Sequence, residues 1–166
     1  IVGYGELGRG VARVAEAFGM RVLPAQRPGV VEPQEGRVPL PILLPRVDVL
    51  SLHCPLTPET RGLIGPWELA LMRRDAVLIN TARGGLVDEA MLADALRKGA
   101  LGGAGVDVLS LEPPVAGHPL LAPDIPNLIV TPHCAWGSRE SRQRLVGQLA
   151  ENVRGFFDGE PVRVVG

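Results

Sequence analysis

The first eight residues constrain this chain more than any other stretch. Ile1-Val2 is followed by Gly3-x-Gly5-x-x-Gly8, and beyond it Leu7, Val11, Val14, Ala15 and Phe18 recur at helical spacing. A strand that turns at once into a helix uses three glycines for three reasons. The first makes the tight turn, the second lets a pyrophosphate approach the backbone, and the third allows close helix–strand packing. The helix start then offers free N–H groups to phosphates. The pattern predicts the tail of a buried strand at Ile1-Val2 and a helix from about Glu6 to Phe18, ended by Gly19. Because the chain begins partway through a strand and without an initiator Met, an amino-terminal part is expected to be missing.

The rest of the chain alternates short apolar runs with helical segments. Arg21-Val22-Leu23 reads as a second strand halted by Pro24, and Pro28 to Pro45 as loop with a helical turn near Leu43-Leu44. Strands are expected over Val47–Leu52, Ala76–Ile79, Gly103–Val108 and Leu128–Val130. Helices are expected from Pro66 through Leu71, from Asp88 to Lys98 before Gly99, and from a Ser138 cap to about Asp158. Cys54 to Pro58 and the proline-rich Pro113 to Pro126 read as loops. Such alternation predicts right-handed βαβ units: an α/β fold of Rossmann type, doubly wound, with a mostly parallel sheet and helices on both faces. The expected division is a dinucleotide-binding domain at 1–138 and a carboxy-terminal helix and tail at 139–166.

Composition narrows the classes of function. At 166 residues the chain has the size of one domain, and 46% hydrophobic with 21% charged residues suits a soluble globular protein. A net charge of −1 gives no electrostatic footprint for nucleic acid or an anionic membrane, and 4% aromatic residues leaves little for base stacking. Two cysteines, Cys54 and Cys134, make no disulfide framework and suit a reducing, cytoplasmic setting. No apolar run approaches the roughly 20 residues of a membrane span, and no signal-peptide pattern is recognisable.

Three polar residues stand where predicted strands end: Arg83 in Ile79-Asn80-Thr81-Ala82-Arg83-Gly84-Gly85, Glu112 closing Gly105 to Glu112, and His133 in Thr131-Pro132-His133. Singly, each has an ordinary reading as a turn arginine, a polar loop residue or a satisfied loop histidine. Together they lie at the edge where open parallel sheets bind ligands. A cation, a carboxylate and an imidazole there suit gripping and protonating a small anionic carbonyl compound. Metal binding is not expected: His53, His118, His133 and the two cysteines form neither a C-x-x-C pair nor an H-E-x-x-H helix. No G-x-S-x-G elbow supports a serine hydrolase. Where a dinucleotide fold usually places an acidic residue for the adenine ribose, this chain has Ala25-Gln26-Arg27. Gln26 suits a ribose hydroxyl, whereas Arg27 suits either a 2′-phosphate or solvent.

At this point the chain closely resembles the D-isomer-specific 2-hydroxyacid dehydrogenases. The resemblance runs through Gly3-Tyr4-Gly5-Glu6-Leu7-Gly8, Leu52-His53-Cys54-Pro55-Leu56-Thr57-Pro58-Glu59-Thr60, Ile79 to Asp88, Gly105-Val106-Asp107-Val108 and Thr131-Pro132-His133. Gly19 to Leu23, with Ala135-Trp136, is most similar to the glycerate dehydrogenase/hydroxypyruvate reductase branch. The resemblance implies hydride transfer between NAD or NADP, with NAD favoured, and a small 2-oxo or D-2-hydroxy acid such as hydroxypyruvate or glyoxylate. It implies His133 as general acid and base, Glu112 as its hydrogen-bonding partner and Arg83 as the substrate clamp. Glu6 and Leu7 would lie over the pyrophosphate, Asp107 near the nicotinamide, and Cys54, Pro55, Thr60, Thr81, Ala82 and Ala135 along the cofactor. The family also implies a homodimer, and a second domain against which Leu145, Val146, Leu149, Val153 and Phe156 would pack. The alternatives are a phosphoglycerate-type dehydrogenase of the same family and an NAD(H)-sensing, protein-binding regulator on the same scaffold.

Overall fold

The computed structural model describes residues 1–30, 32–114 and 117–164, so 115–116 of the expected loop and 165–166 of the expected tail lie outside the described residues. Four parallel strands, β1 Val49–Leu52, β2 Val77–Asn80, β3 Gly103–Val106 and β4 Leu128–Val130, pair in the order β1-β2-β3-β4. Isolated parallel bridges extend the sheet past β1. Val2 pairs with Leu52, Ile1 bonds the Leu23 carbonyl and the Ala25 N–H, and Ala25 pairs with Val38. The order across the sheet is therefore Val38, Ala25, Ile1-Val2, β1, β2, β3, β4. The chain moves outward in one direction from Val2 and in the other from β1, which is the doubly wound Rossmann arrangement with its switch point between Val2 and β1.

The register has one further consequence. Val2, Leu52, Asn80, Val106 and Val130 stand side by side in a single row. The next residue of each segment, Gly3, His53, Thr81, Asp107 and Thr131, therefore leaves the sheet at the same carboxyl edge.

Among the described residues, five α-helices run between and after these segments: α1 Glu6–Ala17, α2 Leu40–Leu43, α3 Pro66–Leu71, α4 Glu89–Arg97 and α5 Arg139–Phe157. Their starts follow local chemistry. Pro66 occupies the first position of α3, and Glu68 reaches back to accept the Gly65 N–H at 3.0 Å. Asp88 caps α4 by accepting the Met91 N–H, and Ser138 caps α5 by accepting the Ser141 N–H, both at 3.0 Å. The core is built from Leu43, Leu44, Leu50, Leu52, Ile64, Leu78, Leu86, Leu92 and Leu96, all buried. The chain forms two compact units, Ile1–Pro132 and His133–Gly166.

The structure differs from the sequence expectations in four places. The second strand does not end at Pro24. Pairing runs through Leu23 to Ala25, and Pro24 accepts the Val38 N–H at 2.9 Å, since a proline lacks only the donor. The loop from Pro28 to Pro45 holds that Val38 bridge, which was not expected, while the expected helical turn near Leu43-Leu44 is present as α2 and the tighter turn Leu44–Arg46. β3 stops at Val106, so Glu112 lies in a loop past the strand rather than at its end. Finally, α1 buries Gly8 and Ala12, not its large apolar face: Leu7, Val11, Val14 and Phe18 are exposed. Close approach to the sheet selects the small side of this helix.

Candidate active site

The switch point is built from backbone contact. A Cβ on Gly3, whose φ is +88°, would stand 2.5 Å from both His53 C and Cys54 N, so only glycine lets the two strand ends converge. A Cβ on Gly8 would stand 2.0 Å from Gly3 O, which seats α1 directly on the turn. Gly5 differs, because a Cβ there would meet no atom of the chain within 4 Å. Gly5 precedes α1 without any side-chain cap, and the first N–H groups of a helix lack intrahelical acceptors. Open space beside a glycine at the start of a helix fits a bound phosphate.

The neighbouring segments are individually fixed. Thr60 is buried, donates its hydroxyl to Pro55 O at 2.7 Å and accepts the Thr57 N–H at 2.7 Å, which folds the Cys54–Thr60 loop on itself. Burial pushes the Cys54 thiol up and holds His53 below the usual histidine range. His53 Nε2 also lies 2.8 Å from the Ser51 hydroxyl. Past Ala25, the Gln26 amide nitrogen donates to Val30 O at 2.6 Å and to Glu32 O at 3.2 Å. Two carbonyl acceptors settle which end of this amide is nitrogen and leave its oxygen as an acceptor. Arg27 is exposed, and its backbone N–H donates to the Gln34 side chain at 2.9 Å.

Arg83 follows β2 on a turn set by Asn80. The buried Asn80 amide donates to Arg83 O at 2.9 Å and accepts the Ala82 N–H at 3.1 Å. Thr81 and the Arg83 side chain are exposed, Ala82 is half-buried, and Arg83 Nη1 donates to Ala82 O at 2.6 Å. A Cβ on Gly84 would lie 2.0 Å from Leu109 C, so the Arg83 turn rests directly on the main chain of the loop that carries Glu112. In that loop, Glu112 Oε1 accepts the Leu109 N–H at 2.7 Å. Asp107 is buried, donates its N–H to Asn80 O at 2.9 Å and accepts the Thr131 hydroxyl on Oδ1, which ties the ends of β2, β3 and β4 together.

The structure thus joins the turns of Arg83 and Glu112 through Gly84. His133 opens the second unit, three residues past β4. Its φ is +51°, a left-handed conformation uncommon outside glycine, and its carbonyl accepts the Trp136 indole N–H at 2.8 Å. Cys134 and Ala135 beside it are exposed. Sequence reasoning did not single out Asn80, Thr131, Ser110 or Glu89. Asn80 had a signal in its place immediately before the turn. The buried Glu89 had none, because an acidic residue in the first turn of a helix is ordinary on a solvent face. Among the described residues no group of three or more His, Cys, Asp or Glu is placed to hold a metal, and no helix is long and apolar enough to cross a membrane.

Residues 1–135 match the family described as D-isomer specific 2-hydroxyacid dehydrogenase, NAD binding domain. The chain belongs to that family. It is 53% identical over 165 residues to a glycerate dehydrogenase of Methylorubrum extorquens, covering 99% of this chain and 51% of that protein. It is 41% identical to a hydroxypyruvate reductase of Blautia hydrogenotrophica, covering 99% of this chain and 52% of that protein. Among solved structures, an acyclic imino acid reductase in complex with NADPH and D-Arg superposes with a TM-score of 0.88 at 34% identity, over 99% of this chain and 52% of that one. The chain spans about half the length of the curated relatives it matches. In this family setting the glycine turn at the switch point fits a dinucleotide, and the open Gly5 is the observation that fits it most directly.

Proposed function

We propose that this chain is the cofactor-binding portion of an oxidoreductase that interconverts a small 2-oxo acid and its D-2-hydroxy acid, with hydroxypyruvate or glyoxylate as substrate. The observation that carries the reading is the contact at Gly84, which sets a guanidinium turn and a carboxylate loop together at the carboxyl edge of the same sheet that carries the glycine turn. When bound, the nicotinamide dinucleotide supplies or accepts the hydride, two electrons with one hydrogen.

The residues of the chain do the remainder. Gly3, Gly5, Glu6, Leu7 and Gly8 hold the pyrophosphate at the start of α1. Cys54, Pro55, Thr60, Thr81, Ala82, Asp107 and Ala135 line the cofactor. Arg83 binds the substrate and polarises its carbonyl, so that charge developing on oxygen meets a fixed cation. His133 gives its proton to that oxygen during reduction and removes it during oxidation, and Glu112 accepts a hydrogen bond from the imidazole and favours its protonated form. The Gln26 oxygen, left as an acceptor, suits a ribose 2′-hydroxyl better than a 2′-phosphate and supports NAD over NADP. We propose further that the whole protein is a cytoplasmic homodimer. We also propose that residues 139–166 pack towards the half of the protein that the relatives possess beyond the matched region.

The test is an assay of the full-length protein with NADH and NADPH against hydroxypyruvate, glyoxylate, pyruvate and 3-phosphohydroxypyruvate. Hydroxypyruvate or glyoxylate is expected to give the highest kcat/KM. Arg83→Ala and His133→Ala are each expected to lower it by a factor on the order of 100 to 10,000. Turnover at the parent rate in either variant would falsify the assigned roles, and preference for the phosphorylated acid would move the protein to the phosphoglycerate-type branch.

A further inference from the structure

We propose that Glu89 is a positioning residue for this reaction: a buried latch that ties the loop carrying Glu112 to the helix that follows the Arg83 turn. The proposal rests on the roles given above to Arg83 and Glu112. Glu89 is the first residue of α4 and keeps only 8% of its surface exposed. A carboxylate removed from water needs donors on both oxygens. Oε1 accepts the Ser110 N–H at 2.7 Å, and Oε2 accepts the Ser110 hydroxyl together with His118 Nε2 at 3.2 Å.

The imidazole of His118 is oriented for that donation. Its Nδ1 accepts the Leu120 N–H at 3.3 Å, so the ring proton stands on Nε2 and points at Glu89. The amino-terminal end of α4 adds the favourable end of its dipole to the same carboxylate. Among the described residues, the donors to Glu89 from Ser110 and His118 both come from the segment that follows β3.

The consequence lies one peptide away. Leu109 and Ser110 are consecutive, and their N–H groups are held by two different carboxylates: Leu109 by Glu112 at 2.7 Å and Ser110 by Glu89 at 2.7 Å. Displacing the Ser110 peptide therefore displaces a donor held by Glu112. The same two residues also meet Gly84 in a main-chain contact that permits no Cβ. The stretch from Arg83 to Glu89 thus holds the 109–110 backbone at both of its ends. Apolar packing tolerates small slips, whereas a hydrogen-bonded buried charge has one geometry. Glu89 fixes the offset between the substrate clamp and the partner of the general acid without touching either reactant.

The experiment uses the full-length protein with Glu89→Gln, which puts an amide NH2 against donors from Ser110 or His118. Deuterium exchange at Leu109 and Ser110 is expected to accelerate by roughly 10-fold or more, as one strong anchoring bond is lost. kcat is expected to fall roughly 10- to 100-fold, with NADH affinity unchanged within about twofold. Ser110→Ala, which removes only the hydroxyl, is the milder variant and should fall between parent and Glu89→Gln. A purely structural role would instead lower kcat and the fraction of NADH-binding protein together. The double variant with Glu112→Gln should be no slower than Glu112→Gln alone, because both changes act through one group. Unchanged exchange at residues 109–110, an unchanged kcat in an active parent, or losses that multiply in the double variant would each overturn the proposal. The exchange measurement needs no turnover, so a parent inactive on every 2-oxo acid would sink the reaction while the latch is still judged by exchange.

Discussion

At the residue scale, cofactor choice turns on one amide. Gln26 stands where dinucleotide folds commonly use a carboxylate, and its two N–H donors are already taken by Val30 O and Glu32 O. Only an acceptor remains, and an acceptor pairs with a hydroxyl but not with a phosphate oxygen. Gln26→Leu is therefore expected to weaken NADH binding by roughly fivefold, the worth of one neutral hydrogen bond, and NADPH binding by clearly less. Arg27→Ala should leave NADH affinity within about twofold, since its guanidinium is exposed. Fluorescence titration of both nucleotides reads this directly. Equal losses for NADH and NADPH in the Gln26 variant would mean that its oxygen does not read the 2′ position. The orientation of Gln26 was not legible in the sequence, because its partners are carbonyls of a loop whose path no side-chain pattern dictates.

At the element scale, α1 separates what a sequence pattern states from what packing decides. The glycine spacing was legible because it encodes backbone contacts: Gly8 meets Gly3 O, whatever side chains surround it. The face of the helix was not legible. Leu7, Val11, Val14 and Phe18 repeat at helical spacing and are exposed, while Gly8 and Ala12 make the sheet contact. Periodicity locates an apolar face but not what lies against it. The same limit hid Glu89, and the end of β3 lies earlier than expected because Val106 is the last residue in register with Asn80 and Val130. Two glycines of α1 make the distinction measurable. Gly10 has only the end of the Arg13 side chain near its Cβ position, at 3.9 Å. Gly10→Ala should stabilise the chain by about 0.5–1 kcal/mol through helix propensity. Gly8→Ala, with 2.0 Å to a main-chain oxygen, should destabilise it by about 1–3 kcal/mol and remove NADH binding. Urea unfolding of the two variants gives the comparison, and equal effects would deny that α1 is seated on the Gly3 turn.

At the scale of the whole molecule, α5 leaves a stripe of large apolar side chains exposed. None of the 19 residues of α5 is buried, and Leu145, Val146, Leu149, Val153 and Phe156 keep between 50% and 73% of their surface exposed. Their spacing places them along one side of the helix. Covering a side chain of this size is worth about 1.5–3 kcal/mol, so such a stripe is a strong driver of association. The matched relatives are about twice as long as this chain, which supplies protein to cover it. Leu149→Glu separates an exposed stripe from a covered one. In the chain studied alone it should leave the unfolding free energy within about 0.5 kcal/mol, as a surface change does, while reducing binding of an apolar dye and self-association at high concentration. In the full-length protein the same change should cost about 2–5 kcal/mol, because the side chain lost is buried and the charge gained is not paired. A change that is neutral in both contexts would mean that α5 stays in solvent, and the proposed packing of residues 139–166 would fall with it.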